Sequence, residues 1–198
     1  GWCKKFDSTD GSIVFAMGSD MTDATKEMTF VGHCIPDLSV ATETRNIFTK
    51  AGVIVVSLES ASAGTYAKAI VTSSSASYTV KSNYIYTDGE TPLSVIVVYD
   101  STLPEDGLKL YVNGMLADSV DVAINADLIA NDNSVYVGND DNADDDGFGG
   151  RIEEIVLYNQ AIEVVSPQSL KHVYKKPLNA GELSREASSN GSPANYSA

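Results

Sequence analysis

The chain has 198 residues, with 27 acidic against 13 basic side chains and a formal net charge of −14. A chain of this length buries one good core, so a single domain is the expectation. With no Lys/Arg cluster to track phosphates, the charge excludes nucleic acid and anionic membrane as partners and favours cations. No apolar run approaches the roughly 18 residues that would cross a bilayer.

The sequence opens on Gly1 without a signal-peptide pattern, as expected of a processed or trimmed product. Its two cysteines are Cys3 and Cys34. Paired, they would close a loop of about 30 residues and contribute roughly 3–4 kcal/mol on the chain-entropy model; two buried thiols are the alternative, and both readings stay open.

In chain order, short β-branched and aromatic runs between turn residues predict strands over 12–16, 28–35, 47–49, 52–58, 65–71, 77–86, 93–99, 108–112, 115–122, 134–137 and 152–158. So many strands exceed one ordinary sheet, and the expected fold is all-β, with two antiparallel sheets packed face to face as a jelly roll. Val95, Ile96, Val97 and Val98 are apolar on both faces, which marks a central strand whose outer side is also covered. Leu108, Leu110 and Val112 alternate with Lys109 and Tyr111, and Asn113-Gly114 supplies the two positive φ positions of a type I′ hairpin turn. In the last strand the inward parity changes between Ile152 and Ile155, which predicts a β-bulge at Glu153-Glu154. Ser166-Pro167 then reads as a helix start, with Leu170, Val173 and Tyr174 at helical spacing, so one short C-terminal helix is expected. From 177 to 198 the chain is rich in Asn, Ser, Gly and Glu, with little apolar area to offset ordering. The expected organisation is a sandwich over 1–176 and a polar, extended tail over 177–198.

The run LKLYVNGMLADSV, then Val137-Gly138, an acidic loop, Gly149-Gly150 and the closing RIEEIVLYN, resembles the laminin-G-like and pentraxin-type members of the concanavalin A-like lectin/glucanase superfamily. KKFDSTDGSIVFA resembles that family's opening, and 91–100 its central strand without the usual tryptophan, so the resemblance spans 2–174. It implies a jelly roll whose first strand, near 12–16, lies close to the closing strand, and a calcium ion at one rim. The scaffold serves lectins, adhesion modules, enzymes and viral surface proteins, so it implies no single ligand.

Three sets of residues are candidates for chemistry. Asp140, Asn142, Asp144 and Asp146 alternate along an acidic loop, a spacing that lets an extended turn offer several oxygens to Ca²⁺; a solvated loop tip and a basic protein partner are the alternatives. Tyr84 and Tyr86 share strand parity and could form a stacking face for a sugar, although strand tyrosines also serve simply as packing residues. Glu153 and Glu154 are strand neighbours that should point to opposite faces unless a bulge reorients one, and His33 and His172 lack a nucleophile or metal motif, so no enzyme is expected. The functional expectation is a non-enzymatic extracellular or surface module for glycan or protein binding and adhesion, with calcium as its candidate cofactor. The alternative is a structural or decorating subunit of a virion, pilus or surface layer, self-associating with neighbouring subunits through the tail.

Overall fold

The computed structural model describes residues 4–6, 13–15, 25–37, 44–61, 64–83, 85, 89–139 and 147–164. Among the described residues there are twelve strands: β1 (Lys4–Phe6), β2 (Ile13–Phe15), β3 (Glu27–Pro36), β4 (Thr44–Lys50), β5 (Ile54–Ala61), β6 (Gly64–Thr72), β7 (Ser77–Lys81), β8 (Leu93–Asp100), β9 (Leu108–Val112), β10 (Met115–Val120), β11 (Val135–Val137) and β12 (Gly150–Tyr158). They form two six-stranded sheets, β1-β12-β3-β8-β9-β10 and β2-β11-β4-β5-β6-β7, and every named strand pairing is antiparallel. Among the described residues there is no helix. The expected helix after Ser166 and the tail over 177–198 lie outside them.

Strand alternation builds the core. Phe30, Val95, Val97, Leu108 and Leu110 turn inward from the first sheet; Phe48, Val56, Leu58, Ala67, Ala69 and Val71 meet them from the second, all at 2% exposure or less. Fully burying a side chain such as Leu, Val or Phe contributes about 1.5–3 kcal/mol relative to leaving it exposed, so this alternation dominates the fold's stability. On one side the sheets are seamed by edge strands β7 and β10: the Lys81 amide donates to Asp118 Oδ2 at 2.8 Å. Tyr99 of the first sheet donates to the Ala126 carbonyl at 2.7 Å, while Tyr78 of the second accepts from the Ala123 amide at 2.9 Å, so one loop is tied to both layers.

Several expectations hold in detail. Asn113 and Gly114 have φ of 51° and 76°, the two left-handed positions of the hairpin turn. The β12 register shifts between Ile152 and Glu154, which is the bulge at Glu153-Glu154. The outer side of β8 is covered at Val98, while Ile96 stays half-exposed. After β12 the chain crosses that side, held by Thr29, whose hydroxyl donates to the Gln160 carbonyl and accepts from the Ile162 amide, both at 2.9 Å.

Other expectations need correction. The segment near 12–16 does not lie beside the closing strand: Ile13–Phe15 pairs with β11 in the second sheet, and Lys4–Phe6 takes the place next to β12. The N-terminal stretch thus gives one short strand to each sheet, and its two lysines hide the first of these from an apolar pattern; charge is what an edge strand tolerates. The strand expected over 77–86 stops at Lys81, because the Ser82 hydroxyl takes the Ala67 amide at 2.9 Å in place of a backbone carbonyl. Ile85 returns as an isolated bridge to Thr65. Strand β4 is longer than expected, since a register shift between Asn46 and Phe48 and the buried Arg45 and Lys50 break its apolar alternation.

The Gly149-Gly150 turn is demanded by geometry. Gly150 has φ +134°, and a Cβ there would collide with the Ile35 carbonyl oxygen and lie 2.8 Å from the Asp37 nitrogen, both of them backbone. Gly150→Ala is therefore expected to lower the unfolding free energy by more than about 2 kcal/mol, measured by urea denaturation; a midpoint equal to that of the wild type would refute the tightness of this turn.

Candidate functional site

The outer face of the second sheet carries a polar network that its registers assemble. On β5, Ile54, Val56 and Leu58 point into the core, so Val55, Ser57 and Glu59 point out. On β6 the inward set is Ala67, Ala69 and Val71, leaving Tyr66, Lys68 and Ile70 outside. Glu59 is opposite Tyr66, Ser57 opposite Lys68, and Lys68 opposite Lys81 of β7.

Glu59 is the centre of this network. Lys68 Nζ lies 2.6 Å from its Oε1 and Lys81 Nζ 2.8 Å from its Oε2. Burial pushes the Glu59 carboxyl up, but the hydrogen bonds and charges of Lys68 and Lys81 outweigh that and hold it below its ordinary value. Lys81 Nζ also sits 4.8 Å from the centroid of the Tyr66 ring, a cation–π contact. One carboxylate, two ammoniums and an aromatic ring thus meet, half-buried, on the outer face of the second sheet. Chemically this arrangement offers a stacking surface with hydrogen-bond donors and acceptors beside it, and no nucleophile with a base.

Tyr84 and Tyr86 lie outside the described residues; Ile85 between them is buried, and its amide donates to the Thr65 carbonyl at 2.7 Å, next to Tyr66. Asp140, Asn142, Asp144 and Asp146 also lie outside the described residues. The neck of their loop is fixed: the Phe148 amide donates to the Gly138 carbonyl at 2.7 Å and the Gly138 amide to the Ile47 carbonyl at 3.1 Å. The approach to β11 is clamped by Lys50, fully buried, whose ammonium donates to the Asn131 and Asn133 carbonyls at 3.1 and 3.0 Å. Among the described residues no group of three or more His, Cys, Asp or Glu side chains is placed to hold a metal.

Cys34 is a free thiol, fully buried, and Cys3 lies outside the described residues. Burial, with Glu153 adding to it, pushes the Cys34 thiol up to about 12, so it is neutral and unreactive in the folded protein at neutral pH. His33 and Cys34 diverge as strand neighbours should: one reaches solvent and the other the core. Glu153 and Glu154 do not diverge, because the bulge turns both outward. Glu154 Oε2 is then engaged by His33 Nδ1 at 3.0 Å.

Reading the sequence missed Glu59, Lys68 and Lys81. The available signal was parity: the hairpin closing at Ala61 and Gly64 sets Glu59 against Tyr66. Because the folded Glu59 value is depressed, its contribution to stability is present above the unfolded value near 4.5 and is lost as pH falls through the lower folded value. Glu59→Gln is expected to destabilise the protein at pH 7 and to flatten the stability profile below pH about 4.5. Parallel wild-type and variant profiles across that window, in denaturant titrations, would count against the network.

Solved structures of similar fold place the chain among sandwich modules. A heptameric SAP-like pentraxin from Limulus polyphemus aligns with a TM-score of 0.57 at 16% identity, covering 81% of this chain and 76% of that one. The CBM40 module of a Ruminococcus gnavus IT-sialidase, solved with α2,3-sialyllactose bound, aligns with a TM-score of 0.54 at 19% identity, covering 71% and 79%. Domains LG4-5 of the mouse laminin α1 chain align with a TM-score of 0.56 at 14% identity, covering 83% of this chain and 44% of that one. Among curated protein sequences none matches this chain. The sequence pattern of a laminin-G family matches residues 7–165, and on that match the chain belongs to the Laminin_G_3 family of the concanavalin A-like lectin/glucanases superfamily.

Proposed function

We propose that the protein is a non-enzymatic glycan-binding module whose ligand lies on the outer face of the second sheet, over Tyr66. The observation that carries this reading is the convergence of the Tyr66 ring, Lys81 at 4.8 Å from its centroid, and the Glu59 carboxylate that holds Lys81 and Lys68. A pyranose presents an apolar face for the ring and hydroxyls that can both donate and accept, which is the complement of this set. Tyr84 and Tyr86, the tyrosines singled out from the sequence, are further candidates for ligand contact in this proposal. The neighbouring carbohydrate-binding module supports a saccharide class rather than a particular sugar.

A glycan array probed with the full chain tests the reading, with α2,3- and α2,6-sialyllactose, found bound to the Ruminococcus gnavus module, among the first saccharides. Tyr66→Ala is expected to weaken binding of any retained glycan by roughly two- to tenfold, since an aromatic contact is worth about 0.5–1.5 kcal/mol. Retained glycans whose affinity is indifferent to Tyr66→Ala and Lys81→Ala would move the site elsewhere, and an array without a single saturable ligand would remove the function.

Calcium is part of the same proposal. Asp140, Asn142, Asp144 and Asp146 are the residues that would hold it, on a loop whose neck is pinned at Gly138 and Phe148. Bound there, the ion would neutralise like charges that otherwise repel, and so fix the rim of the sandwich. Calcium at about a hundred times its dissociation constant is expected to stabilise the fold by roughly 2.7 kcal/mol. Thermal melts that coincide in calcium and in chelator would eliminate the ion and leave the loop solvated.

A further inference from the structure

The first sheet has a recess of its own. A cavity of about 310 Å³ opens on its outer face between β8, β9, the turn that joins them and the segment that follows β12. Val98 and Tyr111 line it from the sheet, Leu103 from the turn, and Ile162 from the crossing segment, giving it an apolar floor. Its polar lining is three carboxylates, Asp100, Asp106 and Glu163, with Lys109 the one basic side chain beside them.

The recess is built rather than incidental. Asp106 has φ +52° and is held from two sides: its amide donates to Asp121 Oδ1 and its own Oδ1 accepts from the Ser119 hydroxyl, both at 2.8 Å. Asp100 Oδ1 accepts from the Thr102 amide at 2.9 Å and from the Thr102 hydroxyl at 2.6 Å. Gly107 completes the wall, where a Cβ would run into the Val122 side chain. Among the described residues no hydrogen-bond partner meets the Tyr111 hydroxyl or the Glu163 carboxylate. Burial, then Glu163 and Asp106, push the Tyr111 phenol above its ordinary value.

We propose that this cavity is a binding site for an organic cation, an ammonium or guanidinium on a short apolar stem, distinct from the glycan face on the opposite side of the sandwich. The stem lies on Val98, Leu103 and Ile162; the charged head is met by Glu163 and Asp106 and by the face of Tyr111. A bare divalent ion is the poorer occupant, because no three carboxylates of the described residues are spaced to coordinate one and two of these already hold hydroxyls or amides. The field of a chain carrying −14 draws cations towards it.

The test is an NMR titration of the full ¹⁵N-labelled chain with 1,5-diaminopentane, with a capped tripeptide bearing one central lysine, and with 1,5-pentanediol as the neutral control. Saturable shifts confined to the amides of 98–111 and 161–163, absent with the diol, are the expected result. Glu163→Gln and Asp106→Asn should each weaken binding several-fold and together tenfold or more, Lys109→Met should tighten it, and Tyr66→Ala on the other face should leave it unchanged. Tighter binding of the peptide than of the diamine would identify a protein side chain as the source, and the reverse order a free amine. Shifts scattered over the acidic surface without saturation, affinity unaltered by the double variant, or the same shifts produced by calcium alone would each overturn the proposal.

Discussion

Phe30 and Phe48 meet across the sandwich with ring centroids 5.3 Å apart and planes tilted by 46°, and the rest of the molecule is arranged around that contact. Each ring comes from the third strand of its sheet, so the pair fixes the separation of the two layers near their middles. Gly32 belongs to the same constraint: a Cβ there would stand 2.8 Å from the Phe30 ring, so the first sheet keeps an unsubstituted position to let the ring lie where Phe48 needs it. Close packing at this density leaves the inner faces no freedom. Everything variable is pushed to the outer faces and the rims.

Those outer faces differ in chemistry because period-two alternation leaves them independent of the core. Across the first sheet the registers bring Val156, Val31, Ile96, Tyr111 and Leu116 into one row, an apolar ribbon five strands wide. Across the second sheet the row through Ser57, Lys68 and Lys81 is polar. A sandwich whose inner residues are fixed can thus carry two unrelated surfaces without either affecting the other's packing.

The legible part of the sequence was whatever depends on neighbours along the chain. Asn113-Gly114 fixes a turn through its own φ angles, and the parity change from Ile152 to Ile155 reveals a bulge without reference to a partner strand. The illegible part depends on register between strands far apart. Which sheet receives Ile13–Phe15 is decided by β11, more than a hundred residues later, and the break after Lys81 is decided by a hydroxyl of Ser82 reaching back to Ala67. The same holds for the candidate site. Tyr66 falls within the strand predicted over 65–71, but its relation to Lys81 exists only once β6 and β7 pair, and Glu59 joins them only through the hairpin of β5 and β6.

The distribution of charge gives these surfaces their direction. Lys50 is held by two backbone carbonyls inside the fold, and Lys68 and Lys81 are held by Glu59, so these three ammoniums are fixed in place. The exposed members of such a network contribute modestly to stability in water, with Lys81 the most solvated of the three groups around Glu59. Their larger effect is on orientation: Lys81 is held over the Tyr66 ring instead of ranging through solvent. The acidic excess is thereby left to the turns and the first sheet's cavity, about a sheet-to-sheet spacing of roughly 10 Å and two side-chain layers away. A neutral saccharide on the outer face of the second sheet carries no net charge for the carboxylates of the first sheet's cavity to act on, so the two proposed ligands do not compete electrostatically.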